Sequence, residues 1–251
     1  MKKTLLVVAL LAVTAGTWAK SQGREKDKPS KKTPPVAKHT ADSGSFGIFV
    51  NGKRIGTETF RIEEGPDISV ATSEIKVDDG TGKAEQNSEM RVDHNGNLRL
   101  YRWRSTLPTR EETVVEPNED LLMEHITPAD QKKIDLPHIL PLSTSILDDN
   151  FFSHREILAW RYLATSCNTE EGRPHSCWRG MFGVLVPRQH IAVNASVELV
   201  GRSVIKIKGV ETELNELKVD TGGGLWLIWI DDKMKVQKMA IPADRVEIIR
   251  D

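Results

Sequence analysis

The sequence predicts a mainly β protein of the α+β class, in which two blocks of antiparallel strands flank one main helix. Three observations predict this arrangement. Short runs of alternating apolar and polar residues recur along most of the chain, separated by turn sequences such as Asn51-Gly52. One stretch after residue 147 has apolar residues at helical spacing. Strand-like runs then resume and continue to the C terminus.

The first 19 residues have the features of a secretory signal peptide. Lys2 and Lys3 precede the apolar run Leu5–Val13, and Thr17 and Ala19 supply the small residues typical of a cleavage site. The apolar run is shorter than the roughly 20 residues that a membrane-spanning helix needs. We therefore expect a periplasmic or secreted protein, or a membrane-tethered one if the signal remains uncut.

Residues 20–43 are expected to form a disordered basic linker. They contain no aromatic residue, and seven Lys or Arg side chains lie between residues 20 and 38. Such a segment buries too little apolar surface to offset the entropy lost on ordering. The folded domain is therefore predicted to span residues 44–251.

The first strand block is predicted as a series of hairpins. The opening one turns at Asn51-Gly52, where both central residues need a positive φ. Another turns at residues 94–96, and residues 113–127 contain a further pair of strands. Several of these strands are polar on one face, as expected for a sheet with one solvated side. Residues 132–142 contain two prolines, so we expect a connection there.

Residues 148–166 form the clearest predicted helix. The residues Asp148-Asp149-Asn150 are of types that cap helix N-termini. One face of the segment is apolar and is made of Leu147, Phe151, Leu158 and Tyr162. We expect this face to lie on a sheet, and His154 to lie at the surface or at its boundary.

The second strand block includes separate predicted strands at residues 191–200 and 203–210. It also contains an unusual strand, GLWLIWI, at residues 224–230. Its residues are apolar on both faces, with Leu225, Leu227 and Trp229 on one side and Trp226, Ile228 and Ile230 on the other. A strand with one wet face alternates apolar and polar residues, so this one is expected to be covered on both faces. The helix would cover one face; a second sheet, a partner or an apolar ligand would cover the other.

Cys167 and Cys177 are the chain's two cysteines and lie after the predicted helix. In an oxidising compartment their default state is a disulfide that closes a local loop. A redox pair, or a metal site with His175, is the alternative. The spacing differs from the two-residue gap of redox motifs, and two Cys with one His fall one ligand short of a structural zinc site.

Composition and motifs argue against several classes of function. The formal net charge of −1 argues against nucleic-acid binding, which needs a basic excess. Residues 80–83 and 221–224 lack the spacing of phosphate or dinucleotide loops, and no His pair of the zinc-protease type occurs. We predict no catalytic, cofactor or metal site and expect the protein not to be an enzyme. A hydrolase built on two distant carboxylates is left open.

Three stretches together resemble a family of exported bacterial proteins of unknown function. They are GIFVNGKRIGTETFRI at residues 47–62, SILDDNFFSHREILAWRYL at 145–163, and LWLIWIDDKMKVQKMAIPADRVEIIRD at 225–251. Members of that family are similar to the periplasmic lipoprotein carriers of the LolA/LolB type. The resemblance implies a curved antiparallel half-barrel sheet that wraps one main helix and has an apolar concave face. It implies no catalysis, and the Cys167–Cys177 loop is an addition to the shared pattern.

These observations lead to three functional hypotheses. The first is an exported, non-catalytic protein that binds or carries an apolar ligand, a lipid or acyl chain, in a groove lined by Trp160, Trp226 and Trp229. The second is an envelope interaction or assembly module that binds a partner protein and no small ligand. The third is an envelope hydrolase, which requires a cleft with converging carboxylates or a His of shifted pKa.

Overall fold

The structure, a computed structural model, describes residues 39–129, 131–170 and 173–251. The predicted signal peptide and residues 20–38 of the predicted linker lie outside the described residues. The first strand begins at His39, so residues 39–43 belong to the sheet, and the predicted start of the domain at residue 44 is too late. These residues belong to the sheet because their backbone pairs with the neighbouring strand. In addition, Asp42, which is buried, forms ion pairs with Arg250 and Lys235.

Eight strands form the first half of the sheet. They are β1 (His39–Val50), β2 (Lys53–Glu64), β3 (Ile68–Asp78), β4 (Lys83–Asp93), β5 (Leu98–Leu107), β6 (Glu111–Asn118), β7 (Leu121–Pro128) and β8 (Ile134–His138). Each pairs antiparallel with the next. The predicted hairpin turn is confirmed, since Asn51 has φ 51° and Gly52 has φ 77°.

The second half of the described chain consists of the helix and nine strands. Its elements are β9 (Ser145–Ile146), α1 (Ser153–Ser166), β10 (Cys167–Glu170), β11 (Arg173–Cys177), β12 (Gly180–Val186), β13 (Ile191–Ile207), β14 (Val210–Asp220), β15 (Leu225–Ile230), β16 (Val236–Ile241) and β17 (Val246–Arg250). Short 3-10 turns span Pro187–Gln189 and Pro242–Asp244. No helix in the described ranges combines the length and the apolar character needed to cross a bilayer.

The two halves join through their terminal strands, because β1 pairs antiparallel with β17. One sheet of fifteen strands results within the described residues, with β8 at one edge and β9 at the other, while β10 and β11 form a separate hairpin. The sheet curves around α1, whose side chains bond to β2, β13 and β17. The predicted mainly β fold, a curved antiparallel half-barrel around one main helix, is confirmed.

Three expectations about individual elements were wrong. The predicted connection at residues 132–142 contains β8, an edge strand in which Pro137 needs no ladder partner on its outer side. The stretch 191–207 is one strand rather than two, because Gly201, at φ 139°, absorbs a bulge opposite β14. The helix begins at Ser153, five residues after the predicted start at residue 148.

Helix α1 packs against the concave face of the sheet. Its apolar residues Leu158, Ala159, Tyr162 and Leu163 are buried among inward-facing side chains of both halves. The helix approaches β12 at Gly180, where a Cβ atom would lie 2.9 Å from the Ser166 hydroxyl and 3.0 Å from the Tyr162 ring. Close approach of the helix therefore requires glycine at this position.

Candidate functional site

The N-terminus of α1 is capped by Glu58, which reaches it from β2. The Phe152 amide donates to Glu58 Oε2 at 2.8 Å, and the hydroxyls of Ser73 and Ser153 each donate to Oε1 at 2.8 Å. Burial raises the pKa of the Glu58 carboxyl, although these hydrogen bonds oppose the shift. The predicted capping role of Asp148-Asp149-Asn150 is wrong, because a distant carboxylate satisfies the first amides of the helix.

Asp148 instead joins β5 to the 3-10 turn after β12. The Tyr101 hydroxyl donates to its Oδ2 at 2.5 Å, and Arg188 Nε donates to its Oδ1 at 2.6 Å. Burial and the charge of Asp148 raise the pKa of Tyr101 well above its usual range, so the phenol remains a donor. Arg188 also donates to Gln86 Oε1 at 2.7 Å and lies 4.4 Å from the centre of the Trp103 ring. The network holds the two halves of the sheet together at the helix N-terminus.

A second buried cluster surrounds Glu156, one turn further along the helix. Burial alone would raise the pKa of Asp42, but hydrogen bonds with Arg250, Glu156 and Lys235 lower it to about 2. Burial raises the pKa of Glu156 well above its usual range, and its hydrogen bond with Asp42 adds to the shift. The pKa values of the two carboxyls are therefore shifted in opposite directions, although Arg250 contacts both.

A third buried carboxylate, Glu124 of β7, contacts two histidines that come from different parts of the sheet. The His138 ring on β8 lies 2.8 Å from its Oε2, and the His190 ring at the start of β13 lies 3.0 Å from its Oε1. His190 lies just before β13 in the second half of the sheet, whereas Glu124 and His138 belong to the first half. Glu124 therefore links the two halves through side-chain contacts.

His154 lies in the interior, with only 2% of its surface exposed, so its expected surface position was wrong. Its Nε2 is 3.5 Å from the Ser88 hydroxyl, and its buried Nδ1 has no hydrogen-bond partner among the described residues. Burial lowers the pKa of His154 to about 3, and the charges of Arg155 and Arg188 contribute. The imidazole is therefore neutral at physiological pH.

A cavity of about 440 Å³ lies between the side of α1 and the ends of β2 to β5 that are close to the turn at residues 94–96. We call it the helix–sheet cavity. Most of its exposed wall is apolar, with Ile157, Leu158 and Trp160 on the helix side, and charged residues such as Asp93 and Arg161 also line it. His154 and Thr144 line it too, and each has a buried polar atom, Nδ1 and Oγ1, without a partner among the described residues. The space suits an apolar group.

A second cavity of about 490 Å³ lies at the other end of the half-barrel, next to the N-terminal turn of α1. We call it the arginine pocket, because Arg155 lines it. The Arg155 guanidinium lies 3.9 Å from the centre of the Trp226 ring. Apolar residues of β1, β13 and β17 complete much of its wall.

The three tryptophans proposed for one groove lie in three different places. Trp160 lines the helix–sheet cavity, Trp226 the arginine pocket, and Trp229 a groove of about 470 Å³ on the outer face of the sheet. Trp229 and Trp226 belong to opposite faces of one strand, so they cannot share a groove. The expectation of a single groove that contains all three was therefore wrong.

The two faces of β15 differ in what covers them. Trp226, Ile228 and Ile230 face the core, as predicted. On the outer face, Trp229 is shielded by its own neighbours: its indole donates to Ser203 Oγ at 3.0 Å and Lys238 lies 5.8 Å from its ring. Polar side chains with long aliphatic stems are sufficient to cover an apolar ring.

Cys167 and Cys177 form the predicted disulfide and lie directly opposite each other in the β10–β11 hairpin. The hairpin follows α1 without a break. His175 is exposed and contacts Glu170 at 3.2 Å rather than the sulfur atoms. In the described part of the chain, no group of three His, Cys, Asp or Glu side chains is placed to hold a metal ion.

Buried groups with a shifted pKa are candidates for catalytic roles, because catalytic sites often contain such groups. Asp42, Glu58 and Glu156 are of this kind, but all three accept hydrogen bonds from protein donors, and none of them lines the three cavities described above. Ser88 and His154 form a serine–histidine pair. However, a pKa of about 3 is too low for a general base near neutral pH, and no carboxylate of the described residues orients Nδ1.

Sequence reasoning missed the buried carboxylates, although strand periodicity carries a signal for them. Glu58 is in phase with Phe60 and Ile62, whose side chains face inward along β2. Glu124 is likewise in phase with its inward-facing apolar neighbours on β7. A single charge on the apolar side of an alternating strand predicts a buried, partnered carboxylate.

Comparison with known proteins gives information about the fold. No protein-family model matches the chain, and no curated protein matches it. Among solved structures, the crystal structure of a beta-barrel-like protein of the domain of unknown function DUF1849 from Brucella abortus is similar, with a TM-score of 0.50 and 9% sequence identity. The match covers 86% of this chain and 94% of that chain. The chain therefore has a barrel-like fold that is also found in a protein of unknown function.

Proposed function

We propose that the protein is exported and that it binds or carries an apolar-chain ligand, a lipid or acyl chain, without catalysis. The helix–sheet cavity carries this proposal. Its volume of about 440 Å³ falls in the range of about 300–1,000 Å³ that is typical of small-molecule sites. The N-terminal sequence features and the disulfide support export.

The chemistry of the cavity wall supports a largely apolar ligand. Aliphatic side chains of the sheet face the helix across the cavity, and the imidazole of His154 is neutral there. The resemblance to the LolA/LolB type of carrier agrees with this proposal.

Binding of the apolar fluorophore N-phenylnaphthylamine to the purified protein tests the proposal. Ala164 is exposed at the mouth of the helix–sheet cavity, so Ala164→Trp narrows the entrance without disturbing the core. We expect this variant to weaken binding by about tenfold or more, a free-energy change of about 1.4 kcal/mol. Ala243→Trp is the matched control, because Ala243 is an exposed alanine in the 3-10 turn before β17.

Native mass spectrometry of the protein purified from a bacterial periplasm provides a second test. Extra mass that disappears on organic extraction would identify a bound lipid. A ligand-free monomer together with unchanged fluorophore binding in Ala164→Trp would contradict the proposal. A ligand-free, concentration-dependent dimer would instead favour the envelope interaction module.

A further inference from the structure

Among the described residues, no carboxylate contacts the guanidinium of the buried Arg155. Only 5% of its surface is exposed. Its Nη1 donates to the carbonyl oxygens of Asp148 at 3.0 Å and Phe151 at 3.2 Å, whereas its buried Nε has no partner among the described residues. Burying an unpaired charge is expensive, so a protein retains such a group when something else compensates it.

The carboxylates around Arg155 are occupied by other donors. Asp148 accepts hydrogen bonds from Tyr101 and Arg188. Asp149 accepts from the Gln189 side chain at 2.8 Å, and Glu58 caps the helix. Their charges favour the protonated guanidinium from a distance, while burial lowers the pKa of Arg155 only to about 10, so the side chain is cationic at neutral pH.

Arg155 stacks on an aromatic ring and lines a cavity. Its guanidinium lies 3.9 Å from the centre of the Trp226 ring, and the cavity measures about 490 Å³. The wall of that cavity includes Val50, Val193, Val219 and Val246, and also the acidic residues Asp149 and Asp244. A buried cation beside aliphatic side chains complements a molecule with one anionic group and an apolar body.

We infer that the arginine pocket binds an amphiphile whose carboxylate pairs with Arg155 and whose apolar chain lies along the valine-rich wall. Nη1 already donates to two carbonyl oxygens and Nε is buried, so Nη2 is the guanidinium nitrogen that is left to donate to the carboxylate. The inference does not require a ligand in the helix–sheet cavity, which lies at the other end of the half-barrel. It names a second site with a different chemistry.

Calorimetric titration with decanoate and decanol, which share a chain and differ in charge, tests the inference. We expect the protein to bind decanoate about tenfold more tightly than decanol, as a buried charge-assisted pair allows. Arg155→Met should remove this preference and leave the affinity for decanol unchanged. Arg179→Met is the matched control, because Arg179 is exposed and contacts Ser196 away from both cavities.

Two further variants keep the inference falsifiable. Val193→Phe fills the arginine pocket while Arg155 remains, and it should weaken decanoate binding at least about fivefold even if Arg155→Met fails to fold. Ala164→Trp narrows the other cavity and should leave the decanoate preference intact. A preference for decanoate that survives in a folded Arg155→Met or Val193→Phe protein would overturn the inference, as would its loss in Ala164→Trp. The fluorophore result for Ala164→Trp separately decides the proposed function.

Discussion

The first turn of α1 and its later turns are buried to a similar extent by opposite chemistry. The first turn buries Ser153, His154, Arg155 and Glu156, whereas the later turns bury Leu158, Ala159, Tyr162 and Leu163. The polar turn is held by Glu58 on β2 and by Arg250 on β17, two strands that flank β1. The comparison teaches that a buried polar turn anchors the helix to specific strands through directional bonds, while the apolar turns supply non-directional stability.

His154 should produce the largest effect, a loss of stability in acid. Its pKa is lowered to about 3 in the folded state, from about 6.5 in the unfolded state, so the unfolded chain binds more protons in this interval. The free energy of unfolding should therefore fall as pH drops from about 6.5 to about 3, by about 4 to 5 kcal/mol. Urea denaturation over this pH range measures it.

The matched variant for that prediction is His154→Gln, which keeps a polar side chain but does not titrate. Its free energy of unfolding should lack the decline that begins near pH 6.5. If the wild type and His154→Gln show the same slope between pH 6.5 and pH 4, the imidazole is not buried in its neutral form.

Removal of the Glu58 cap should give the next largest effect. In Glu58→Ala, the amides of Phe152 and Ser153 and the two serine hydroxyls lose their acceptor inside the protein. We expect the free energy of unfolding to fall by about 3 to 4 kcal/mol. Glu58→Gln retains an acceptor oxygen and should cost about half as much; equal losses in the two variants would show that an amide oxygen does not replace the carboxylate as the cap.

Leu158→Ala measures the apolar side of the comparison. Leu158 is buried in the core cluster, so its truncation should cost about 3 kcal/mol through lost burial and the cavity that remains. Unlike the effects at His154 and Asp42, this loss should be the same at pH 4 and pH 7. A loss that changes with pH would indicate that Leu158 shields one of the titrating clusters, and thermal unfolding at both pH values distinguishes these results.

Asp42 should produce the smallest of the four effects, at more acidic pH. Its pKa is lowered to about 2 in the folded state from an ordinary value near 3.8, so its stabilising charge is present above pH 4 and is lost as pH falls through about 2. We expect a decrease of about 2 kcal/mol at most across this window. Asp42→Asn should remove that decrease, and acid titration of tryptophan fluorescence records it.

Periodicity alone was sufficient to predict most of the secondary structure. Alternation and turn residues predicted the hairpins on both sides of the helix, and spacing predicted the apolar face of α1. Element boundaries were less predictable. The strand at 134–138 was missed, because its one proline, Pro137, carries no penalty at a sheet edge and the sequence does not reveal which strand lies at an edge. Likewise, one bulge at Gly201 merged two predicted strands into one.

The candidate sites were less predictable from the sequence. All three tryptophans are partly or fully buried, yet they line three separate cavities, because neighbours on a strand alternate between faces and the helix faces only one of them. In the sequence, the polar first turn SHRE is typical of a helix start that is exposed to solvent. The turn is buried because Glu58 and Arg250, which are distant in the chain, lie beside it and bond to Ser153 and Glu156.

The sequence by itself determined the mainly β class, the turn at Asn51-Gly52, the single main helix and the disulfide, because these depend on neighbours within about ten residues. Only the tertiary structure decided the cap at Glu58, the charge of Asp42 and the unpaired guanidinium of Arg155. Each of these depends on groups brought together from strands far apart in the chain, and the strength of a charge interaction is set by burial that only the folded sheet provides.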